Sequence, residues 1–253
     1  MSETTPPTGP EETFLSHLIE LRTRLLRSII AVAIVLVCLF PFAKDIYAIL
    51  ARPLLEKLPA GATMIATDVT GTFLVPLKVT VMAAFVIALP YVLWQAWAFV
   101  APGLYQHEKR LAGPVIVSSV VFFAIGMAFA YFFVFPVMFN FFTNYTPAGV
   151  TMMTDIDKYL SFVLTMFIAF GITFEVPVVV IVLVRMGVVS LEKLRAIRGY
   201  VVVGAFIVGA IFTPPDVLSQ LMLAMPLWLL YELGLLLARF VSVPAKQEAE
   251  KGA

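Results

Sequence analysis

The chain has 253 residues and a net charge of +1; 61% of its residues are hydrophobic, 13% are charged, and its mean hydropathy is +1.00. A soluble domain of this length needs far more charge to cover its surface, so the composition excludes one and predicts a polytopic helical membrane protein. Cys38 is the one cysteine, and His17 and His107 lie far apart, which leaves no internal disulfide, no CxxC pair and no metal-ligand spacing.

The opening MSETTPPTGPEE is polar, proline-rich and aperiodic, and reads as a disordered tail over residues 1–13. It lacks a basic n-region, an apolar stretch and a small-residue cleavage site in sequence, so the first apolar run reads as a retained helix. In FLSHLIELRTRLL, Leu15, Leu18, Leu21 and Leu25 share one stripe, the pattern of a helix lying along the membrane surface before it turns into the first span. A bilayer core of about 30 Å takes roughly 20 apolar residues in a helix. Spans are accordingly expected at about 25–42, 73–99, 115–137 and 159–184, with breaks at Pro76 and Pro90 in the second and a kink at Pro177 in the fourth. Between the first two, Ile46, Leu50, Leu54 and Leu55 recur at helical spacing and predict a short amphipathic surface helix.

The last two apolar runs, 199–213 and 217–238, are less regular. The first falls short of a span, and the second carries Gln220, Pro226 and Glu232. They read as two short spans joined by the turn TPPD, with a re-entrant hairpin as the alternative. The expected architecture is therefore all-α, with six spans in one domain over 14–240 and a tail over 241–253. Twelve of the seventeen Lys and Arg residues fall on the side of the N-terminus: Arg22, Arg24, Arg27, Lys109, Arg110, Arg185, Lys193, Arg195, Arg198, Arg239, Lys246 and Lys251. That asymmetry predicts cytoplasmic N- and C-termini.

No GxxxxGK[ST] loop, dinucleotide fingerprint, HExxH helix or nucleophile elbow is present, and no histidine lies in a span. ATP-driven work by this chain, intramembrane proteolysis and nucleic-acid binding have no residues to rest on. What remains are polar groups in costly or conspicuous places. Glu20 reads either as a solvated charge paired with Arg24 at i+4 or as part of a site near the headgroups. Glu108, in YQHEKR, is a lone acid among basic residues and carries the same two readings. Glu175 lies near the middle of the fourth span, where an ionised carboxylate costs about 2.5–3.5 kcal/mol on insertion scales. Pro177 frees a backbone carbonyl beside it, at Thr173, and together they predict a polar notch with a partner-binding role. Asp216, in Thr213–Asp216, is placed to cap the last helix.

The segments SHLIELRTRLL, MIATDVTGTF, WQAWAFVAPGLYQHEKR, GMAFAYFFVFP, TDIDKYLSF, AFGITFEVPV and VGAFIVGAIFTPPDVLSQ, in this order from about Phe14 to Phe240, resemble the TatC family, the multispanning receptor subunits of the twin-arginine protein translocase. The resemblance implies a non-enzymatic, cofactor-free protein of the inner membrane. It implies recognition of folded precursors by their paired-arginine signals, recruitment of TatA-like and TatB-like single-span partners, assembly with further copies of itself, and transport driven by the proton-motive force. Carried onto this chain, Glu20 and Glu108 would contact the arginine pair, with Arg22, Leu25 and Phe99 at the same site. Glu175 would meet the partner helices, and the fifth and sixth spans, with Thr213, Asp216 and Gln220, would face a TatB-like subunit. A proton-coupled secondary transporter is the rival reading, on the strength of proline-broken helices and a midplane carboxylate, although no internal repeat supports it. A structural scaffold is a second alternative.

Overall fold

Pro10 followed by Glu11 and Glu12 has the make-up of a helix start, with proline where no N–H is needed and acids at the positive end of the dipole. In a computed structural model, which describes residues 10–56, 64–100, 109–147 and 153–241, helix α1 (Pro10–Leu39) begins there, inside the segment expected to be a tail. No glycine or proline interrupts it after Pro10. The expected surface helix and first span are thus one continuous rod, with no turn between them. Phe40–Phe42 tightens into a 3-10 turn at Pro41 and leads into α2 (Ala43–Leu55), the amphipathic helix foreseen before the second span. Its Ile46, Tyr47 and Leu50 pack on the core, and Tyr131 and Tyr159 donate to the carbonyls of Ile49 and Leu50 at 2.9 and 3.0 Å.

Helix α3 (Gly71–Val100) carries Pro76 and Pro90 without interruption. Helix α4 (Lys109–Phe129) starts inside the expected loop, widens into a π-helical stretch at Ala130–Val134, and resumes as α5 (Phe135–Asn144). The cause of the widening is Pro136, which offers no N–H to the carbonyl of Phe132 and crowds it. The helical run therefore reaches Asn144, past the expected end at 137. Helix α6 (Ile156–Arg185) follows, then α7 (Leu191–Ala196), α8 (Arg198–Phe212) and α9 (Val217–Val241). Among the described residues, five helical segments are long and apolar enough to cross a membrane. Of the two closing helices expected to be short, α8 is, at 15 residues, whereas α9 extends to 25 because Pro226 does not end it.

Both ends of α6 are held by local chemistry. Asp155 caps its N-terminus, accepting from the N–H groups of Asp157 and Lys158 at 2.9 and 3.0 Å. The other carboxylate oxygen of Asp155 accepts from Thr67 through both its hydroxyl, at 2.5 Å, and its N–H, at 3.1 Å, while an isolated bridge pairs Ile65 with Asp155. At the far end, Gly187 takes φ 69°, and the N–H groups of Gly187 and Val188 close onto the carbonyls of Val184 and Leu183 at 3.0 and 3.1 Å, a Schellman termination.

Helix α6 is also the centre of the packing. Phe170, Leu160, Val163 and Met166 are fully buried against Phe135, Met138, Val79 and Leu223. Lipid tails are as apolar as these side chains, so helix association in a bilayer relies on close fit more than on hydrophobic burial. Three glycines supply that fit. A Cβ on Gly126 of α4 would lie 2.5 Å from the Phe170 carbonyl oxygen, one on Gly171 of α6 would lie 2.4 Å from the Phe123 ring, and one on Gly234 of α9 would lie 3.0 Å from Pro177 and Val180.

Two outcomes follow. Gly126→Ala overpacks a backbone contact and lowers stability by roughly 1–3 kcal/mol in a denaturant titration of the detergent-solubilised protein, whereas Gly113→Ala, with nothing within 4 Å, leaves it unchanged. The Thr67 hydroxyl, with the backbone N–H groups around Asp155, holds that carboxyl at about 2, below its ordinary 3.8. Its stabilising contribution is therefore complete above about pH 4 and fades as pH falls towards 2, so Asp155→Asn flattens the acid limb of the stability profile in that window.

Candidate functional site

The face that carries the start of α1, the end of α3, the end of α6 and the end of α9 gathers most of the polar residues singled out above. On α1, residues 17, 20 and 24 are spaced to lie on one side, and that side meets α3. Arg24 is a bracket between the two helices. Its Nε and Nη2 donate to Glu20 Oε1 at 2.9 and 2.6 Å, and its Nη1 donates to Gln95 Oε1 of α3 at 3.3 Å. One turn towards the N-terminus, the His17 ring stacks on Phe99 with centroids 4.3 Å apart. Gln95 is buried, while the Glu20 side chain keeps 39% of its surface exposed.

This arrangement fixes Glu20 without neutralising it fully. Both Arg24 donors use the same oxygen, and among the described residues Oε2 takes no hydrogen bond. An exposed i,i+4 pair of this kind contributes only about 0.3–0.5 kcal/mol, so a second guanidinium can share or replace the pairing at little cost. Arg22 and Leu25 are exposed on α1. Glu108 lies outside the described residues.

From Leu25 an apolar groove of about 830 Å³ runs between α1, α3 and α6, walled by Ile29, Val32, Val81, Phe85, Leu164 and Ile168. It begins one to two turns along α1 from Glu20, so an exposed acid and a long apolar trough adjoin each other.

Glu175 sits deeper, on α6. Its Oε1 is buried and has no hydrogen-bond partner among the described residues. The buried Ser119 hydroxyl of α4 neighbours the carboxyl and also accepts from Trp97 Nε1 of α3 at 3.0 Å. The expected polar notch is therefore built from three helices. Gln95 and Ser119 were not picked out from the sequence. Gln95 carried a signal as an amide inside an apolar run; Ser119 carried none, because a serine in a membrane helix commonly bonds its own backbone.

Several polar groups of the closing hairpin bond within it, while Asp216 Oδ2 and Ser219 Oγ are buried and unpartnered among the described residues. Asp216 Oδ1 accepts the Ser219 N–H at 2.7 Å as the N-cap of α9, Thr213 Oγ1 donates to the Gly209 carbonyl at 2.8 Å, and Gln220 Nε2 donates to the Phe206 carbonyl at 3.0 Å. Glu232 pairs with Arg198 at 2.7 Å. Among the described residues no group of His, Cys, Asp and Glu is arranged to hold a metal.

Residues 16–226 match the family model TatC, Sec-independent protein translocase protein. The chain is 56% identical over 229 residues to the Sec-independent protein translocase protein TatC of Azotobacter chroococcum mcd 1, covering 90% of each. It is 54% identical over 226 residues to the protein of that name from Escherichia coli (strain K12), covering 89% of this chain and 88% of the relative. A crystal structure of the twin arginine translocase receptor TatC superposes with a TM-score of 0.79 at 41% identity, over 90% of this chain and all of that one. These similarities do not favour the secondary-transporter reading. The chain belongs to the TatC family and is a multi-pass membrane component of the Sec-independent protein translocase, not an enzyme.

Proposed function

We propose that Glu20 and Glu108 read the paired arginines of a precursor's signal peptide, and that the apolar trough beginning at Leu25 receives the hydrophobic part of the same signal. The observation that carries this reading is the half-exposed Glu20 carboxylate, paired with Arg24, which Gln95 holds in turn, and with one oxygen uncommitted among the described residues. A guanidinium presents a planar fork that a carboxylate accepts in bidentate fashion, which the lysine ammonium cannot reproduce. A prearranged acid selects arginine over general positive charge, and the neighbouring groove suits the apolar stretch that follows. His17 stacked on Phe99 adds a second brace holding α1 to α3 at this place. Arg22 is exposed on α1, two residues on from Glu20.

In this reading both termini are cytoplasmic, as the basic residues dictate, the membrane is the inner membrane, and α8 completes six crossings. At about 1.5 Å per residue, α8 spans roughly 22 Å, less than a full hydrocarbon core, so the bilayer thins beside it. Val203, Phe206, Ile207 and Ile211 of α8 are exposed and offer an apolar face to a TatB-like helix, with Thr213, Asp216 and Gln220 holding the hairpin that presents it. Glu175, with its unpartnered oxygen, is the polar group that TatA-like or TatB-like helices meet. Further copies of the chain join the same complex, and the proton-motive force drives transport.

Glu20→Ala and Glu108→Ala each weaken crosslinking of a twin-arginine signal peptide, by an amount equivalent to about 0.5–3 kcal/mol, while the protein still inserts in the membrane. Undiminished crosslinking in both variants contradicts the assignment. Glu175→Ala behaves differently. Signal crosslinking persists and transport of a folded precursor into membrane vesicles falls; normal transport by that variant returns Glu175 to a structural role.

A further inference from the structure

The Glu20 carboxylate already holds a guanidinium, and that guanidinium belongs to the chain itself. Arg24 donates from Nε and Nη2, at 2.9 and 2.6 Å, and both bonds end on Oε1. Residues four apart on a helix face each other across one turn, so this partner is always at hand. An incoming arginine therefore meets an acid engaged by a group of its own chemistry. The engagement is incomplete, because among the described residues Oε2 takes no hydrogen bond. Arg24 bonds one oxygen, whereas an unconstrained guanidinium can donate to both in parallel, the stronger arrangement.

Arg24 differs from an ordinary i,i+4 partner in a second respect. Its Nη1 donates to Gln95 Oε1 of α3 at 3.3 Å. Gln95 is buried, while the Arg24 side chain keeps 24% of its surface exposed. A neutral amide oxygen does not rival a carboxylate, but it gives the guanidinium an acceptor on a different helix. If Arg24 loses Glu20 it keeps Gln95, and its freed N–H groups can turn to solvent. Displacement then costs less than stripping an arginine of its one protein partner. A lysine must displace the same partner and offers only a point charge in return, so it recovers less.

We propose that Arg24 is a built-in competitor for Glu20: it occupies the carboxylate in the empty receptor, yields it to an arginine of the signal, and is then retained by Gln95. The proposal rests on the reading of Glu20 as a signal-binding acid and adds how that acid is guarded. The Arg24–Glu20 pair sets the threshold a cationic ligand must exceed, and bidentate donation is what exceeds it. Arg24 is thus a specificity-determining residue that acts through Glu20. Binding exchanges one ion pair for another at this carboxylate, so the contact adds little to the salt dependence of binding.

The test is equilibrium binding of fluorescent twin-arginine and twin-lysine signal peptides to the full chain in detergent, at rising ionic strength. Arg24→Gln is expected to bind the arginine peptide about two- to fivefold more tightly than wild type. Its affinity should also fall more steeply with salt, because a new ion pair then forms without one being given up. The lysine peptide should gain by a similar factor. Arg24→Lys, which keeps a competitor and guards against a folding defect, should lie between wild type and Arg24→Gln. Gln95→Leu removes the second acceptor and should weaken the arginine peptide by about two- to fivefold. In a Glu20→Ala background the gain from Arg24→Gln should vanish, since there is no carboxylate to release. If Glu20→Ala weakens binding but Arg24→Gln does not tighten it, Arg24 only positions the acid and the proposal alone is overturned. A gain that persists in the Glu20→Ala background also overturns it, as general charge repulsion. If Glu20→Ala binds as tightly as wild type, the underlying reading of Glu20 fails and the proposal falls with it.

Discussion

Everything in this molecule is positioned by the close approach of α4 and α9 to α6. At Gly126, Gly171 and Gly234 the neighbouring helix leaves no room for a Cβ, and backbone rests on backbone or on an aromatic ring. In a bilayer, where burial of apolar surface gives little net drive, such contacts convert dispersion into association. They also dictate depth and rotation. With Gly171 held against Phe123, Glu175 one turn further along α6 is set beside Ser119 of α4, which in turn reaches Trp97 of α3. A carboxyl that would be prohibitive on an isolated helix is accommodated because three packed helices surround it.

The same scaffold separates two kinds of polar chemistry. Deep in the packing, Glu175 lies beside the Ser119 hydroxyl, with one carboxylate oxygen buried and unpartnered among the described residues. At the edge, Glu20 is paired with Arg24, itself bonded to Gln95 of α3, and stays partly exposed. Support from α3 fixes the position of the carboxylate, and exposure keeps its own ion pair weak enough to be exchanged.

Much of this was legible in the sequence, and the parts that were not share a cause. Hydropathy located every apolar run, and the conspicuous acids Glu20 and Glu175 marked themselves by the cost of their placement. Asp216 was legible as a cap because capping is a local interaction, and the structure places it on the Ser219 N–H. Hydropathy reports what lipid tolerates and not where a helix ends, so α1, α5 and α9 all run further than the apolar stretches implied. Pro76 and Pro90 were taken as breaks, but the helix continues through both. The brackets that define the sites, Arg24 to Gln95 across 71 residues and Trp97 to Ser119, depend on packing that no local pattern encodes. Membership of the TatC family rests on motifs spread along the whole chain, which is why it could be read before any geometry.

The central claim is that a fixed, half-exposed carboxylate reads guanidinium forks and not charge in general. It is tested most directly by co-purifying the full chain with a twin-arginine signal peptide and, in parallel, with the same peptide carrying two lysines. The account predicts that the arginine peptide is retained and the lysine peptide is largely lost at the same ionic strength. Equal retention of the two would show that the face attracts positive charge without recognising arginine, and would contradict it.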